Sequence, residues 1–152
     1  MPADCLPVPH LEQTADGGCL PACAAMVLAY CQAPVDQSRV ARLLDTQEFG
    51  TVAPRIHRLA DWGYATTYQS GSVATLRNLL AANIPPIVFV WTGNLPYWSI
   101  NTPHAVVVIG LDEEQVLVND PALSIAPQNI PLGDFLLAWA EFDNRYATIT
   151  RR

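Results

Sequence analysis

Four side chains in this sequence have the types and placement that thiol chemistry needs: Cys19, His104, Asp120 and Gln13. Cys19 follows two glycines and opens a run, residues 20–31, too apolar on every side for a surface helix. A helix apolar all round belongs in the middle of a domain. Pro21 suits its first turn, where a missing N–H costs nothing. A sulfur at the start of such a helix faces unpaired N–H groups and the positive end of the macrodipole, which favour thiolate over thiol. Gln13, on the loop entering the helix, has an amide able to donate to an oxyanion forming beside the sulfur. Cys19 on its own also reads as a small buried hydrophobe, since free cysteine is among the most buried residue types.

The base has to come from elsewhere in the chain. His104 opens the most apolar stretch, HAVVVIGL, directly after Pro103, and Asp120 closes the next stretch, QVLVND, directly before Pro121. An aspartate accepting from one ring nitrogen leaves the other free to take the Cys19 proton. Taken singly, His104 reads as a hydrogen-bonded histidine at a strand edge and Asp120 as an Asp-Pro turn. With Cys19 and Gln13 they read as one site. Asn119 is the alternative orienter of the histidine, but neighbours on a strand point opposite ways, so only one of the two serves.

The elements that must hold these groups can be read in order. Residues 6–9 alternate with prolines and are expected to run extended into the loop 14–18. The buried helix runs to about Gln32, where Pro34 follows. Asp36 is expected to cap a second helix to Leu44, and Thr51 a third that ends at Trp62 before Gly63. A strand over 64–69 and a fourth helix capped by Ser72 complete the front half. The back half is β-branched and aromatic: strands are expected over 86–92, 104–111, 115–120 and 145–150, the middle two joined as a hairpin by the turn at 112–115. A short helix over 132–142 interrupts them.

Composition fits one compact α+β domain over residues 1–152, with 51% apolar and 14% charged residues. A net charge of −6, with no basic cluster beyond the terminal Arg151 and Arg152, argues against nucleic acid or an anionic membrane as partner. No apolar run reaches the roughly 18–20 residues that span a bilayer. The first ten residues show no basic region followed by an apolar core, so no export signal is read there. All 4 cysteines, Cys5, Cys19, Cys23 and Cys31, crowd the first fifth of the chain, which reads as reduced thiols in a cytoplasmic protein rather than as disulfide staples. A zinc site from Cys23, Cys31 and His10 is disfavoured, because most of its ligands would share one apolar helix. His57 reads as a solvated helix residue. No metal or other cofactor is expected.

The motifs around these residues resemble those of the papain-like bacteriocin-processing peptidases, the double-glycine leader peptidase family and its stand-alone relatives. Gln13, Cys19, Ala22, Cys23 and Met26 stand at the spacings of that family's opening motif; HAVVVIG matches its histidine motif and VNDP its Asp-Pro motif. The resemblance runs over nearly the whole chain, including residues 71–88 and the late helix with Trp139. It implies a papain-like cysteine peptidase fold, N-terminal helices packed against a C-terminal antiparallel sheet. It also implies Cys19 as nucleophile, His104 as base, Asp120 as its orienter and Gln13 as oxyanion donor. Two positions depart from the pattern: Gly18 stands where the family usually has Asp, and Leu20 where it has Gly.

The expected reaction is hydrolysis of a peptide bond in a peptide or protein substrate through an acyl-enzyme. Gly18 and Leu20 beside the sulfur, and Tyr97 and Trp98 on the segment leading to His104, are expected to line the substrate cleft. A catalytically silent peptide-binding domain, or a thiol acyltransferase or deamidase, would use the same groups. The chain shows no transporter or ATPase segment, so cutting leaders during export is not the expected role. Gly17 and Gly18 read as backbone relief near the sulfur rather than as a cleavage site.

Overall fold

A computed structural model describes residues 5–152; the reading of residues 1–4 as free of an export signal lies outside them. Six antiparallel strands form one sheet in the order β1-β6-β2-β3-β4-β5. They are β1 (Tyr64–Ser70), β2 (Ile87–Trp91), β3 (Pro103–Leu111), β4 (Gln115–Asn119), β5 (Gln128–Pro131) and β6 (Arg145–Arg151). The helices are α1 (Cys19–Tyr30), α2 (Gln37–Leu43), α3 (Val73–Ala81) and α4 (Leu132–Ala140), with a 3₁₀ helix over Ala53–Trp62.

Alternation along the strands builds a core on each side of the sheet. Ile87 and Phe89 of β2 with Ala105, Val107 and Ile109 of β3 face a layer made by α1, Val40 and Leu44, and Ile56 and Leu59 of the 3₁₀ helix. Val88, Val90, Val106 and Val108 face Leu76 of α3 and Phe135, Ala138 and Trp139 of α4. The N-terminal helices thus cover one face as expected, and α3 and α4 cover the other. The sheet is therefore apolar on both sides of its central strands.

α1 owes its position to its composition. Every residue from Leu20 to Leu28 is buried, against β3 on one side and α2 on another. Met26→Ala empties a fully buried site in this helix and is expected to lower unfolding free energy by about 2–5 kcal/mol, read by denaturant titration.

Local signals mostly act as read. Ser72 caps α3 through a reciprocal pair in which its side chain accepts from the Thr75 N–H and Thr75 Oγ1 accepts from the Ser72 N–H. Gly63 ends the 3₁₀ helix in the left-handed region at φ 90°. Asp112 Oδ1 accepts from the N–H groups of Glu114 and Gln115 and closes the β3-β4 hairpin. Three details differ. The third helix is 3₁₀ and starts after Val52 rather than Thr51, whose hydroxyl pairs with Thr46 instead. Asp36 sits at the start of α2 without a side-chain capping bond. The strand β5 lies where the sequence shows no strand pattern.

Candidate active site

Cys19 is the first residue of α1, with Gly18 as its N-cap. The first N–H groups of an α-helix have no intrahelical partner, so the Cys19 N–H and its neighbours are available beside the sulfur. The loop that delivers Cys19 depends on its glycines. Gly17 has φ +71°, and a Cβ there would lie 2.4 Å from the Gln47 carbonyl oxygen and 2.5 Å from that of Glu48. The turn at residues 47–50, closed by mutual hydrogen bonds of Gln47 and Gly50, therefore packs directly on the nucleophile loop. At Gly18 a Cβ would meet the Ala15 carbonyl oxygen at 2.8 Å, which accepts the Gly18 N–H. Both glycines are backbone relief, as the sequence suggested.

His104 is the second residue of β3 and is buried. It shares strand parity with Val106 and Val108, which face the second core, but it lies near the strand end, where groups from both layers reach it. From one side its Nε2 bonds Asp120 Oδ1 at 2.7 Å and the Trp98 ring lies 4.8 Å away between centroids. On the cleft side it lines one cavity with Cys19, whose charge also acts on the imidazole. With Nε2 engaged by Asp120, Nδ1 is the nitrogen left for the thiol.

Asp120 follows β4 and is fully buried. Besides His104, it accepts from the Tyr97 hydroxyl at 2.8 Å, Trp98 Nε1 at 3.0 Å and the Ala122 N–H at 2.9 Å. Such a saturated carboxylate keeps its charge without water. Asn119, the alternative orienter, points away: its Nδ2 donates to the Val8 carbonyl at 3.1 Å.

These contacts set the protonation of the pair. Burial works against a charged His104, but the Asp120 hydrogen bond and charge, with those of Cys19, outweigh it and lift the imidazole to about 9. Burial likewise opposes a charged Asp120, and the bonds from His104, Trp98 and Ala122 overcome it and hold the carboxyl below its ordinary 3.8. The raised His104 contributes stability that is complete below about pH 6.5 and is lost as pH rises through about 9. The depressed Asp120 contributes stability present above about pH 4 and lost as pH falls through its lowered value.

Tyr97 and Trp98 are not where the sequence suggested. They do not line the cleft with Cys19; they stand behind Asp120, with Tyr97 and Trp98 packed against the second core. Residues 92–102 form a closed loop, in which Thr92 Oγ1 donates to the Ile100 carbonyl and accepts from the Thr102 N–H, while the Asn101 side chain accepts from the Gly93 N–H. The loop thereby holds two donors against one buried carboxylate oxygen. The available signal was that buried Tyr and Trp each need a partner for one polar hydrogen. Burial and the Asp120 charge push the Tyr97 hydroxyl well above its usual range, so it remains a donor. Tyr97→Phe removes one charge-assisted bond and is expected to cost about 1.5–3 kcal/mol of stability. It should also lower turnover several-fold, checked by denaturant unfolding alongside steady-state kinetics.

Gln13 is tied to the same corner from the backbone, its N–H donating to the Pro121 carbonyl at 2.7 Å. Its side-chain Nε2 donates to Ala15 O at 3.2 Å, and its Oε1 is buried without a partner. Cys23, one turn beyond Cys19, is buried, and its thiol donates to the Ala105 carbonyl at 3.4 Å. Burial pushes that thiol up, reinforced by Cys19 and Asp120, which keeps it protonated. His10 bonds the Leu123 carbonyl and His57 the Thr66 hydroxyl.

A cavity of about 250 Å³ opens beside Cys19 and His104. Leu20 lines it as expected, while Gly18, buried under the loop, does not. The remaining wall comes from residues that sequence reasoning did not select, among them Phe49, Ala53, Tyr68, Phe89 and Phe142.

The family and the fold have counterparts among known proteins. Residues 5–150 match the profile of the Peptidase_C39-like family. No curated protein matches the chain. Among solved structures, a protein from Bacillus anthracis described as a C39-like peptidase superposes with a TM-score of 0.80 at 17% identity, over 99% of this chain and 97% of that one. The peptidase domain of Streptococcus ComA, a bi-functional ABC transporter of a quorum-sensing pathway, gives 0.77 at 19% identity, over 95% and 99%. A double glycine motif protease from an AMS/PCAT transporter, in complex with the leader peptide, gives 0.75 at 21% identity, over 97% and 94%. At these identities the likeness is one of fold. Among the described residues no helix is long and apolar enough to cross a membrane. A profile match that runs almost from end to end, on a fold shared with these peptidase domains, makes the chain a member of the peptidase C39-like family.

Proposed function

We propose that this protein is a cysteine peptidase that hydrolyses peptide bonds through an acyl-enzyme on Cys19. The observation that carries the reading is the buried imidazole of His104, bonded through Nε2 to Asp120 at 2.7 Å and lining one cavity with Cys19. The peptide class is supported by family membership and by a fold neighbour described in complex with a leader peptide.

In the first step Cys19 Sγ attacks the scissile carbonyl carbon, and the carbonyl π electrons move onto oxygen. The helix-start N–H of Cys19 is placed to donate to that oxyanion. Gln13 adds a second donor once its amide leaves the Ala15 carbonyl, a bond made by a partly exposed side chain on the nucleophile loop. His104, protonated up to about pH 9, gives its proton to the leaving amine as the C–N bond breaks. It then takes a proton from water as the water oxygen attacks the thioester, and breaking of the C–S bond releases the acid and returns the Cys19 thiolate beside the imidazolium. Asp120 holds the ring orientation and its positive charge throughout. Tyr97, Trp98 and the Ala122 N–H keep Asp120 ionised and still; they are positioning residues.

The test is a digest of a defined peptide library, comparing the protein with its Cys19→Ala form and reading cleaved bonds by mass spectrometry. Bonds cut only by the form that retains Cys19 support the reading. The same silence from both forms across a broad library overturns it.

A further inference from the structure

The cavity beside the nucleophile is built for a particular kind of side chain. It is continuous with Cys19 and His104, encloses about 250 Å³, and has no charged side chain in its lining other than the imidazole itself. A water occupies roughly 30 Å³ of liquid volume, so the space is several waters large. Its walls are mostly apolar and aromatic, with Leu20 next to the sulfur, Phe89 from β2, Phe142 after α4 and Phe49, while Thr51 and Tyr68 add two hydroxyls. A glycine would leave such a space filled with poorly bonded water, and a charged side chain would lose its hydration there, since the one charged group in the wall, the imidazole, is already paired with Asp120.

Phe49 makes the case stronger. It is 86% exposed, the most exposed of the large hydrophobic residues among those described, and it stands at the rim of this cavity. The backbone of its turn is seated on the nucleophile loop, because it packs against Gly17 at distances that leave no room for a side chain there. The same loop therefore carries the nucleophile at one end and supports an unpartnered aromatic wall at the other.

From this we infer that the cleft selects peptides carrying a bulky, uncharged apolar side chain next to the bond held at Cys19, with Leu20, Phe49, Phe89 and Phe142 as its specificity-determining contacts. The inference rests on the peptidase reading for what happens at the bond, but not for what the cavity binds. It separates this chain from a peptidase that requires small residues beside the cut. Leu20, one of its two departures from the motif pattern, lies in the cavity wall.

The test uses acetylated pentapeptide amides of alanine with the third residue varied as Gly, Ala, Leu, Phe, Glu or Lys. Titrated calorimetrically into the Cys19→Ala protein, the Phe and Leu peptides are expected to bind at least about tenfold more tightly than the Gly, Glu and Lys peptides. Phe49→Ala in the same background, a change at an exposed site, should reduce that preference to a few-fold at most. Ala53→Trp, which fills the space from another lining position, should reverse the order of Phe and Ala. Equal affinity across the series, no binding of any member, or a preference untouched by both changes would overturn the inference. Digestion of the same peptides by the unaltered protein reports separately on the reaction: cleavage without a binding preference leaves the peptidase reading standing and removes this one, and preference without cleavage does the opposite.

Discussion

Cys19→Ala is expected to bring turnover down by at least about 10⁴-fold while leaving the fold intact. Among the described residues that line the cleft, Cys19 is the one cysteine. Cys23 is one turn away, but it is buried, hydrogen-bonded to the Ala105 carbonyl and held protonated. Alanine is a good residue for the first turn of a helix, and Cys19 is only half-buried, so unfolding free energy should change by less than about 1 kcal/mol. Steady-state rates with a peptide found in the library digest, set beside denaturant curves for both forms, check the two halves together. A variant that kept more than a hundredth of the original rate would mean that the nucleophile lies elsewhere.

Asp120→Asn is expected to lower kcat/KM by about 10²–10⁴-fold, with a change in pH dependence that a loss of packing would not produce. The carboxylate accepts four hydrogen bonds, from His104, Tyr97, Trp98 and the Ala122 N–H. An amide supplies one acceptor oxygen and turns two hydrogens toward groups that are themselves donors. Burial then acts on His104 with only Cys19 opposing it, so the imidazole pKa must move down from about 9. In the original protein kcat/KM should decline as pH rises through about 9, where His104 loses the proton it gives to the leaving amine. In the variant that decline should begin at distinctly lower pH. Its thermal stability should also lose the component that fades between about pH 6.5 and 9. A variant with reduced rate but an unmoved alkaline limb would assign Asp120 a structural part only.

Much of this site was legible because its signals are local. A cysteine after two glycines, at the head of a run with no polar face, leaves few options but the start of a buried helix, and α1 is that helix. His104 and Asp120 close the same end of a hairpin whose turn, residues 112–115, is written in acidic and amide residues, so their meeting follows from antiparallel pairing. Alternation says only that Asn119 and Asp120 face opposite ways, and the preference for Asp120 comes from the family resemblance; Asn119 faces the Val8 carbonyl and Asp120 the imidazole.

What could not be read depends on contacts between distant segments. The cavity wall gathers residues 49–51, 53–54, 68, 89, 103–105 and 142, and nothing in the neighbourhood of any one of them marks it as a wall. Tyr97 and Trp98 were legible as aromatics near the histidine, but which side of Asp120 they occupy is decided by the closed loop at 92–102. The strand β5 (QNIP) lacks alternation and ends in proline, which an edge position tolerates. The 3₁₀ helix shows the same spacing of Ile56 and Leu59 that an α-helix would, so its tighter winding is invisible in the pattern.

The coupling of Cys19 to His104 is tested most directly by the alkylation rate of Cys19 with iodoacetamide, located by mass spectrometry and followed against pH in the protein and in its His104→Ala form. If the two groups act on each other, near pH 6 the protein with His104 should react at least about tenfold faster. That advantage should close as pH rises through about 9, where the ring loses its charge. Rates that coincide across the whole range would show that the two groups do not act on each other, and would contradict the account.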